Sequence, residues 1–200
     1  MSNDQPPRAH PHQSSLLEHE AVLGRSQLGM LVFLASDVML FAPFFAAYFL
    51  LRSSGVSWPP SDVTLDVPRT AIATAALIAS SFTLVRADRA IAGEDLALAR
   101  RWLFATILLG SAFLTNQIVE YTSLEFRPST HVYGSVYWLL TGLHSAHVTA
   151  GVLALGAVVV RTFRVATPRG LDTWAHGVSA FWHLVDAIWV AVFLTIWVVR

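Results

Sequence analysis

The sequence of 200 residues contains no cysteine and no lysine, and only 13% of its residues are charged. Without cysteine, the chain can form neither a disulfide nor a thiolate site for zinc or an iron–sulfur cluster. Its thirteen basic residues, all arginine, balance thirteen acidic residues. The chain therefore has no net positive charge that would indicate nucleic acid as a partner. In contrast, 54% of the residues are hydrophobic, a composition that indicates an integral membrane protein.

Five long apolar segments follow a polar N-terminal stretch. Residues 1–26 lack the apolar core of a secretory signal, and their composition predicts a disordered tail. A transmembrane helix needs about 17–25 mainly apolar residues. The segments near that length are 28–51, 70–85, 102–119, 136–160 and 177–199. We therefore predict an all-α integral membrane bundle of five transmembrane helices over residues 27–200.

Arginine placement predicts the orientation of these helices. Nine arginines lie in the N-terminal stretch and in the loops after the second and fourth segments, and four lie in the other loops and at the C-terminus. Because cytoplasmic loops are enriched in basic residues, we expect the N-terminus to be cytoplasmic and the C-terminus to be outside.

The fourth segment carries two histidines in its apolar run. At about 100° per residue, His144, His147 and Gly151 fall on one face of the helix. Ionisable groups at this depth point into a bundle and need partners there. Gly151, together with Gly142 and Gly156, is predicted to let a neighbouring helix approach closely.

Other segments carry ionisable groups that lipid would penalise, since a charge at the centre of the bilayer costs at least about 2.5–3.5 kcal/mol. Glu120 and His144 belong to the outer half of the membrane, with His147 beside them, and His183 and Asp186 belong to the inner half. We therefore predict one network between Glu120 and His144 or His147, and a second between His183 and Asp186.

The two histidines could also ligate zinc or iron, together with Glu120 and His183. The alternative is that they pair with carboxylates and fix the packing of the helices. Since the carboxylates do not obviously lie level with both histidines, we favour the structural interpretation and predict no metal site. Asp37, about ten residues into the first segment and in the inner half, is either a proton-relay carboxyl or a neutral, hydrogen-bonded one.

A series of motifs along residues 27–200 resembles subunit III of the haem-copper cytochrome c oxidases, in a short form without the family's first two helices. The ordered series is specific although each motif alone is weak. Length and motifs are most similar to the actinobacterial form. The motifs are Leu34-Ala-Ser-Asp37-Val-Met-Leu-Phe41, Trp58-Pro59-Pro60, Ser80-Ser81-Phe82-Thr83, Arg101-Trp102, Gln117-Ile-Val-Glu120-Tyr121, Val132-Tyr133-Gly134-Ser135, Thr141-Gly-Leu-His144-Ser-Ala-His147-Val148 and Trp182-His183-Leu-Val-Asp186-Ala-Ile-Trp189.

The resemblance implies a core subunit of a proton-pumping terminal oxidase in the cell membrane. It implies no cofactor in this chain, with haem A and copper in partner subunits, and direct contact with subunit I. Subunit II, other oxidase subunits and phospholipids are further implied partners, and a cytochrome bc supercomplex is a candidate. The resemblance further implies that the subunit supports proton uptake by subunit I and protects the enzyme from inactivation during turnover.

Two residues take specific expectations from the resemblance. The family's buried, carbodiimide-reactive glutamate falls on Asp37, whose side chain is one methylene shorter. Arg161 matches a family arginine at a cytoplasmic helix end, where a guanidinium suits a lipid phosphate. Without the first two helices, one wall of the family's lipid cleft is missing.

Two relatives share these motifs, namely subunit III of a quinol oxidase and a membrane protein associated with nitric oxide reductase. Asp37 mildly favours the second, whereas the Trp58-Pro59-Pro60 loop favours an oxidase. From another class, the chain could be an autonomous intramembrane metal-binding protein or a small transporter. The sequence contains no nucleophile–base triad and no phosphate loop, so we expect enzyme activity only as part of a complex.

Overall fold

The computed structural model describes residues 11–54, 57–61, 63–164 and 171–199, with side chains from residue 28 onward except residues 172 and 173. The described residues form no β-strand, and the prediction of an all-α fold is confirmed. The helices are α1 (Pro11–Ser53), α2 (Val67–Ala92), α3 (Leu96–Ser123), α4 (Val132–Arg164) and α5 (Asp172–Phe193), which continues as a π-helical segment over Leu194–Val199.

Each of the five helices is long and apolar enough to cross a membrane, so the predicted number of spans is confirmed. The helices extend beyond the predicted apolar segments because polar residues cap their ends. Asp66 accepts a hydrogen bond from the Arg69 backbone N–H at the start of α2, and Asp95 accepts one from Leu98 at the start of α3. Such caps satisfy the free backbone N–H groups at the start of a helix. A prediction based on hydropathy alone does not detect them and so begins the helix too late.

Two units divide the chain, residues 1–39 and residues 40–200. In the first unit, the helical backbone begins at Pro11, and the disordered tail over residues 1–26 stays a prediction. The stretch from Leu16 to Leu23 is rich in leucine, glutamate and alanine, which are good helix formers. The same prediction for residues 1–10 lies outside the described residues.

In the second unit, α2 packs against α3 and α5, and α4 packs against the same two helices. Trp182 of α5 is fully buried where these helices meet, and its indole N–H donates to Ser80 Oγ of α2 at 2.9 Å. A Cβ atom at Gly110 of α3 would lie 2.6 Å from the indole, and one at Gly151 of α4 would lie 2.7 Å from it. The two glycines therefore create the space that Trp182 occupies.

Of the three glycines predicted to be close-packing sites, Gly151 is the one that a described residue of another helix approaches too closely for a Cβ atom. A Cβ atom at Gly142 would meet only the Tyr121 hydroxyl, at 3.8 Å, and one at Gly156 would meet nothing within 4 Å. Within the described part of the chain, a Cβ atom therefore fits at both positions, and neither glycine is required for packing between these helices. Gly110, in contrast, was not predicted.

Candidate functional site

Asp37 is a buried carboxyl on a helix whose apolar residues are mostly exposed. It is 8% exposed, whereas its neighbour Met39 is 73% exposed. A membrane environment favours this arrangement, because lipid tolerates an exposed methionine but not an exposed carboxylate.

Glu120, near the end of α3, forms an ion pair with Arg69 in the first turn of α2. Arg69 Nη2 donates to Glu120 Oε2 at 2.8 Å, and the carboxylate is buried. The predicted pairing of Glu120 with His144 or His147 is therefore wrong. Because α2 begins at Val67, Arg69 lies on the helix beside the end of α3, and a guanidinium is a stronger partner for a carboxylate than a neutral imidazole.

His144 is 0% exposed, and neither of its ring nitrogens has a hydrogen-bond partner. Its ring stacks on Trp189 of α5 with 4.6 Å between the ring centroids and meets Phe113 of α3 edge-on at 5.6 Å. The imidazole therefore packs as an aromatic ring in the core. The prediction that His144 pairs with a carboxylate is therefore wrong.

His147, one turn further along α4, is half-buried, and its ring has other neighbours than that of His144. Its Nδ1 donates to the Leu143 carbonyl oxygen at 2.8 Å, since a carbonyl can only accept, and its ring lies 5.2 Å from that of Phe41. Across the described residues, no three histidine, aspartate or glutamate side chains are grouped so that they could hold a metal ion. The His144–His147 pair thus finds no third ligand in this part of the chain.

His183 and Asp186, both on α5, meet through a hydroxyl group of α2. Ser81 Oγ donates to Asp186 Oδ2 and lies 3.0 Å from His183 Nδ1. Asp186 is 6% exposed, and its Oδ1 is buried without a hydrogen-bond partner. The predicted network of these two residues is therefore present, with a serine at its centre.

Hydrogen bonds between side chains continue along the contact of α2 with α5, which we call the α2–α5 seam. Ser179 Oγ donates to Asp88 Oδ1 at 2.8 Å, and the Trp189 indole N–H donates to Thr74 Oγ1 at 3.0 Å. Together with the Ser81–Asp186 and Trp182–Ser80 bonds, these contacts join polar side chains of the two helices at four places along the seam.

Arg161, the candidate lipid-binding residue, is exposed in the last turn of α4. Its guanidinium lies 4.5 Å above the ring of Trp174, which belongs to the beginning of α5. Such a cation–π contact holds the guanidinium in place and leaves its N–H donors available to an anion.

Comparison with known proteins identifies the family. A family model described as cytochrome c oxidase subunit III matches residues 14–199. The chain belongs to the cytochrome c oxidase subunit III family.

Three relatives bear this out. Cytochrome c oxidase subunit 3 of Corynebacterium diphtheriae is 38% identical over 179 residues, which cover 86% of this chain and 87% of that protein. The probable cytochrome c oxidase subunit 3 of Mycobacterium tuberculosis is 38% identical over 178 residues, with coverage of 86% and 87%. Cytochrome c oxidase subunit 3 of Thermostichus vulcanus is 35% identical over 175 residues, with coverage of 86% of both chains. The resemblance seen in the motifs, including its actinobacterial character, is confirmed.

As a member of the subunit III family, the chain is a subunit of a haem-copper oxidase complex. Its five apolar helices make it a multi-pass membrane protein. Two polar residues of this subunit III were not predicted as partners of buried carboxyls, namely Arg69 and Ser81. Pro68 was a usable signal for Arg69, because proline favours the first turn of a helix and so moves the start of α2 ahead of Arg69.

Proposed function

We propose that this chain is a non-catalytic core subunit of a proton-pumping terminal oxidase, which packs on subunit I and supports proton uptake by it. The observation that carries the proposal is the burial of Asp37. Only 11% of the most apolar stretch of the span Leu28–Ser53 is buried, yet Asp37 belongs to that small part. Its position in the motif is that of the family's carbodiimide-reactive glutamate.

The role of Asp37 in this proposal is to hold and release a proton beside the proton path of subunit I. A carboxyl inside the membrane can change its protonation state, whereas the apolar residues beside it cannot. Aspartate keeps this chemistry with a side chain one methylene shorter than glutamate. Proton supply to subunit I in turn protects the oxidase from inactivation during turnover.

Haem A and copper belong to partner subunits in this proposal, and this chain contributes no catalytic residue. The surroundings of the two candidate ligands support this assignment. His144 packs between aromatic rings, and His147 donates to a backbone carbonyl. Subunit I is the direct partner, subunit II and other oxidase subunits complete the complex, and a cytochrome bc supercomplex is a further candidate partner.

Phospholipid binding and orientation complete the proposal. The exposed guanidinium of Arg161 suits a lipid phosphate, because its planar fork of donors matches two phosphate oxygens. The excess of arginine in the loops after the second and fourth spans supports a cytoplasmic N-terminus in the cell membrane. Arg161 then lies at the cytoplasmic face.

The test is affinity purification of the tagged chain in a mild detergent, followed by a visible absorption spectrum of the eluate. We expect a copper-containing large subunit and the absorption bands of haem A. Haem b with a partner that holds non-haem iron would instead indicate a nitric oxide reductase. A copper-containing oxidase that oxidises quinol and not cytochrome c would indicate a quinol oxidase.

A colourless chain that purifies alone would contradict the proposal. It would favour the autonomous metal-binding protein or transporter, which metal analysis and transport assays of the isolated chain would then separate.

A further inference from the structure

The α2–α5 seam contains two rungs that each join a hydroxyl group to a carboxyl group. Ser81 of α2 bonds Asp186 of α5, and Ser179 of α5 bonds Asp88 of α2. The rungs are separated by seven residues on each helix, which corresponds to two turns, or about 10 Å along the helix axis. Asp88 lies in the last two turns of α2, close to its end at Ala92, whereas Asp186 lies deep in α5.

His183 lies between the two rungs. It follows Ser179 by four residues and precedes Asp186 by three, so it shares their face of α5. Its Nδ1 is 3.0 Å from Ser81 Oγ, it is half-buried, and it interacts electrostatically with Asp88. The imidazole therefore connects the deep rung to the one near the end of α2.

We propose that the α2–α5 seam is a proton-exchange site, in which Asp186 binds an exchangeable proton and Ser81 and His183 relay it to and from the Asp88 end. The site rests on the proposed function, because it gives this proton-supporting subunit a second protonatable carboxyl in addition to Asp37.

The hydrogen inventory of the cluster permits the transfer. A serine hydroxyl has one proton to donate and can accept a hydrogen bond at the same time. With Asp186 ionised, His183 Nδ1–H donates to Ser81, and Ser81 donates to the carboxylate. With Asp186 neutral, the carboxyl donates to Ser81, and Ser81 donates to the bare Nδ1. The same three side chains therefore accommodate both protonation states.

The transfer between these two arrangements balances. The N–H bond at Nδ1 of a protonated His183 breaks as its proton forms a new O–H bond at Ser81 Oγ. The original Ser81 proton passes to Asp186 Oδ2, which leaves a neutral imidazole, an unchanged serine and a neutral carboxyl. The uptake comes before this step: neutral His183, with its hydrogen on Nδ1, takes a proton at its bare Nε2 from a hydronium ion at the Asp88 end of the seam, so that the imidazole left after the transfer keeps its one hydrogen on Nε2.

The other contacts of the seam show what a purely structural arrangement looks like. The Trp182–Ser80 and Trp189–Thr74 bonds join the same two helices without any titratable group. The Ser81–Asp186 contact differs from these two bonds because Asp186 is titratable and its Oδ1 is buried without a hydrogen-bond partner. A carboxyl that only tied the helices together would carry a needless cost of desolvation, since an amide or hydroxyl can accept the same bond.

Other charged groups near α5 come from the helices packed against it. Among the described residues, these side chains include Asp88 on α2, which bonds Ser179. They also include His144, His147 and Arg161 on α4, which face Trp189, Phe181 and Trp174 respectively. Among the described contacts of Asp186, the hydrogen bond is with Ser81.

The test is infrared difference spectroscopy of the purified oxidase complex that contains this chain, recorded as a pH titration and after transfer to D2O. We expect a carbonyl-stretch band of a protonated carboxyl that is lost in Asp186→Asn. Thr74→Val is the matched control, because it removes a hydroxyl from the same seam without touching a titratable group, and the band should persist. A band unchanged by Asp186→Asn would overturn the proposal.

The relay has its own readout in the rate at which this band shifts in D2O. A group that transfers protons contributes about 10²–10⁴ to the rate of a catalysed transfer, so His183→Gln should slow the shift at least about tenfold. An unchanged rate would overturn the relay. If Asp186→Asn fails to assemble, Asp186→Glu should move the band, and an unmoved band would equally overturn the assignment.

The infrared band reports the proton on Asp186 and not oxidase turnover. The two proposals can therefore fail separately. If the band is absent while the purification identifies the oxidase and Asp37 variants impair proton uptake, the proton-exchange site is refuted and the proposed function is not. A band that behaves as expected in a complex whose proton uptake is indifferent to Asp37 would refute the proposed role of Asp37 and not the seam.

Discussion

The indole of Trp182 occupies the space that a side chain at Gly151 would need. A Cβ atom at Gly151 would lie 2.7 Å from the six-membered ring of the indole, closer than real Cβ atoms approach other atoms. The ring cannot easily move away, because its N–H donates to Ser80 and its far edge meets Gly110. A single residue of α5 thus holds α2, α3 and α4 together, and its position depends on two glycines.

Gly151→Ala should therefore destabilise the helix bundle. Inserting a methyl group into a packed core costs about 1–3 kcal/mol, and we expect the variant to lower the apparent Tm of the chain in detergent. Gly156→Ala is the matched control on the same helix, because nothing lies within 4 Å of its added Cβ atom. Equal Tm values for the two variants would show that Trp182 can shift to make room.

The Glu120–Arg69 ion pair provides a second prediction. Arg69→Ala leaves a buried carboxylate without its cation, and a buried group that loses its partner costs about 1–3 kcal/mol or more if charged. Arg69 is 32% exposed, so the lower part of this range is expected. Glu120→Gln combined with Arg69→Ala removes the charge and should recover part of the loss in a thermal-stability assay. A double variant no more stable than Arg69→Ala would show that Glu120 is not charged in the folded protein.

These two regions also show how far the sequence determines the structure. The five spans could be predicted because each helix in lipid needs its own apolar run, and that run is a local property. The partner of Glu120 could not, because depth along a helix says which groups are level with one another but not which helices are neighbours. The end of α3 lies beside the first turn of α2, and the cap at Asp66 draws Arg69 into that turn.

The same reasoning explains the two histidines of α4. Their spacing predicted a shared face, and both indeed avoid full exposure. Which rings they would meet depends on the position of α5, because Trp189 supplies the surface on which His144 stacks. The role of Ser81 could not be predicted from the sequence either. A lone serine in an apolar span gives no signal until the structure shows that Asp186 lies opposite it.

Asp37 should affect proton uptake more than assembly. We expect Asp37→Ala to leave haem content unchanged while slowing proton uptake or shortening the catalytic lifetime. Because the proposed role of Asp37 is to support the proton path of subunit I and not to form part of it, the effect should be about twofold to tenfold, below the 10²–10⁴ of a group that transfers protons in catalysis. Asp37→Glu keeps a carboxyl group at this position and should retain proton uptake. Stopped-flow measurement of proton uptake in both variants checks this. Loss of haem in Asp37→Ala would instead assign the residue a structural role.

His144 yields the sharpest distinction between packing and chemistry. His144→Phe keeps a ring against Trp189 and Phe113 and removes two buried nitrogens that have no hydrogen-bond partner. Since an unsatisfied buried polar group costs about 1–3 kcal/mol, this variant should be at least as stable as the unaltered chain. His144→Ala removes the ring and should destabilise by about 2–5 kcal/mol, as large-to-small changes in a core do. Thermal unfolding of both variants in detergent decides the matter. If phenylalanine proves as damaging as alanine, the ring nitrogens have a function that the packing of the helices does not explain.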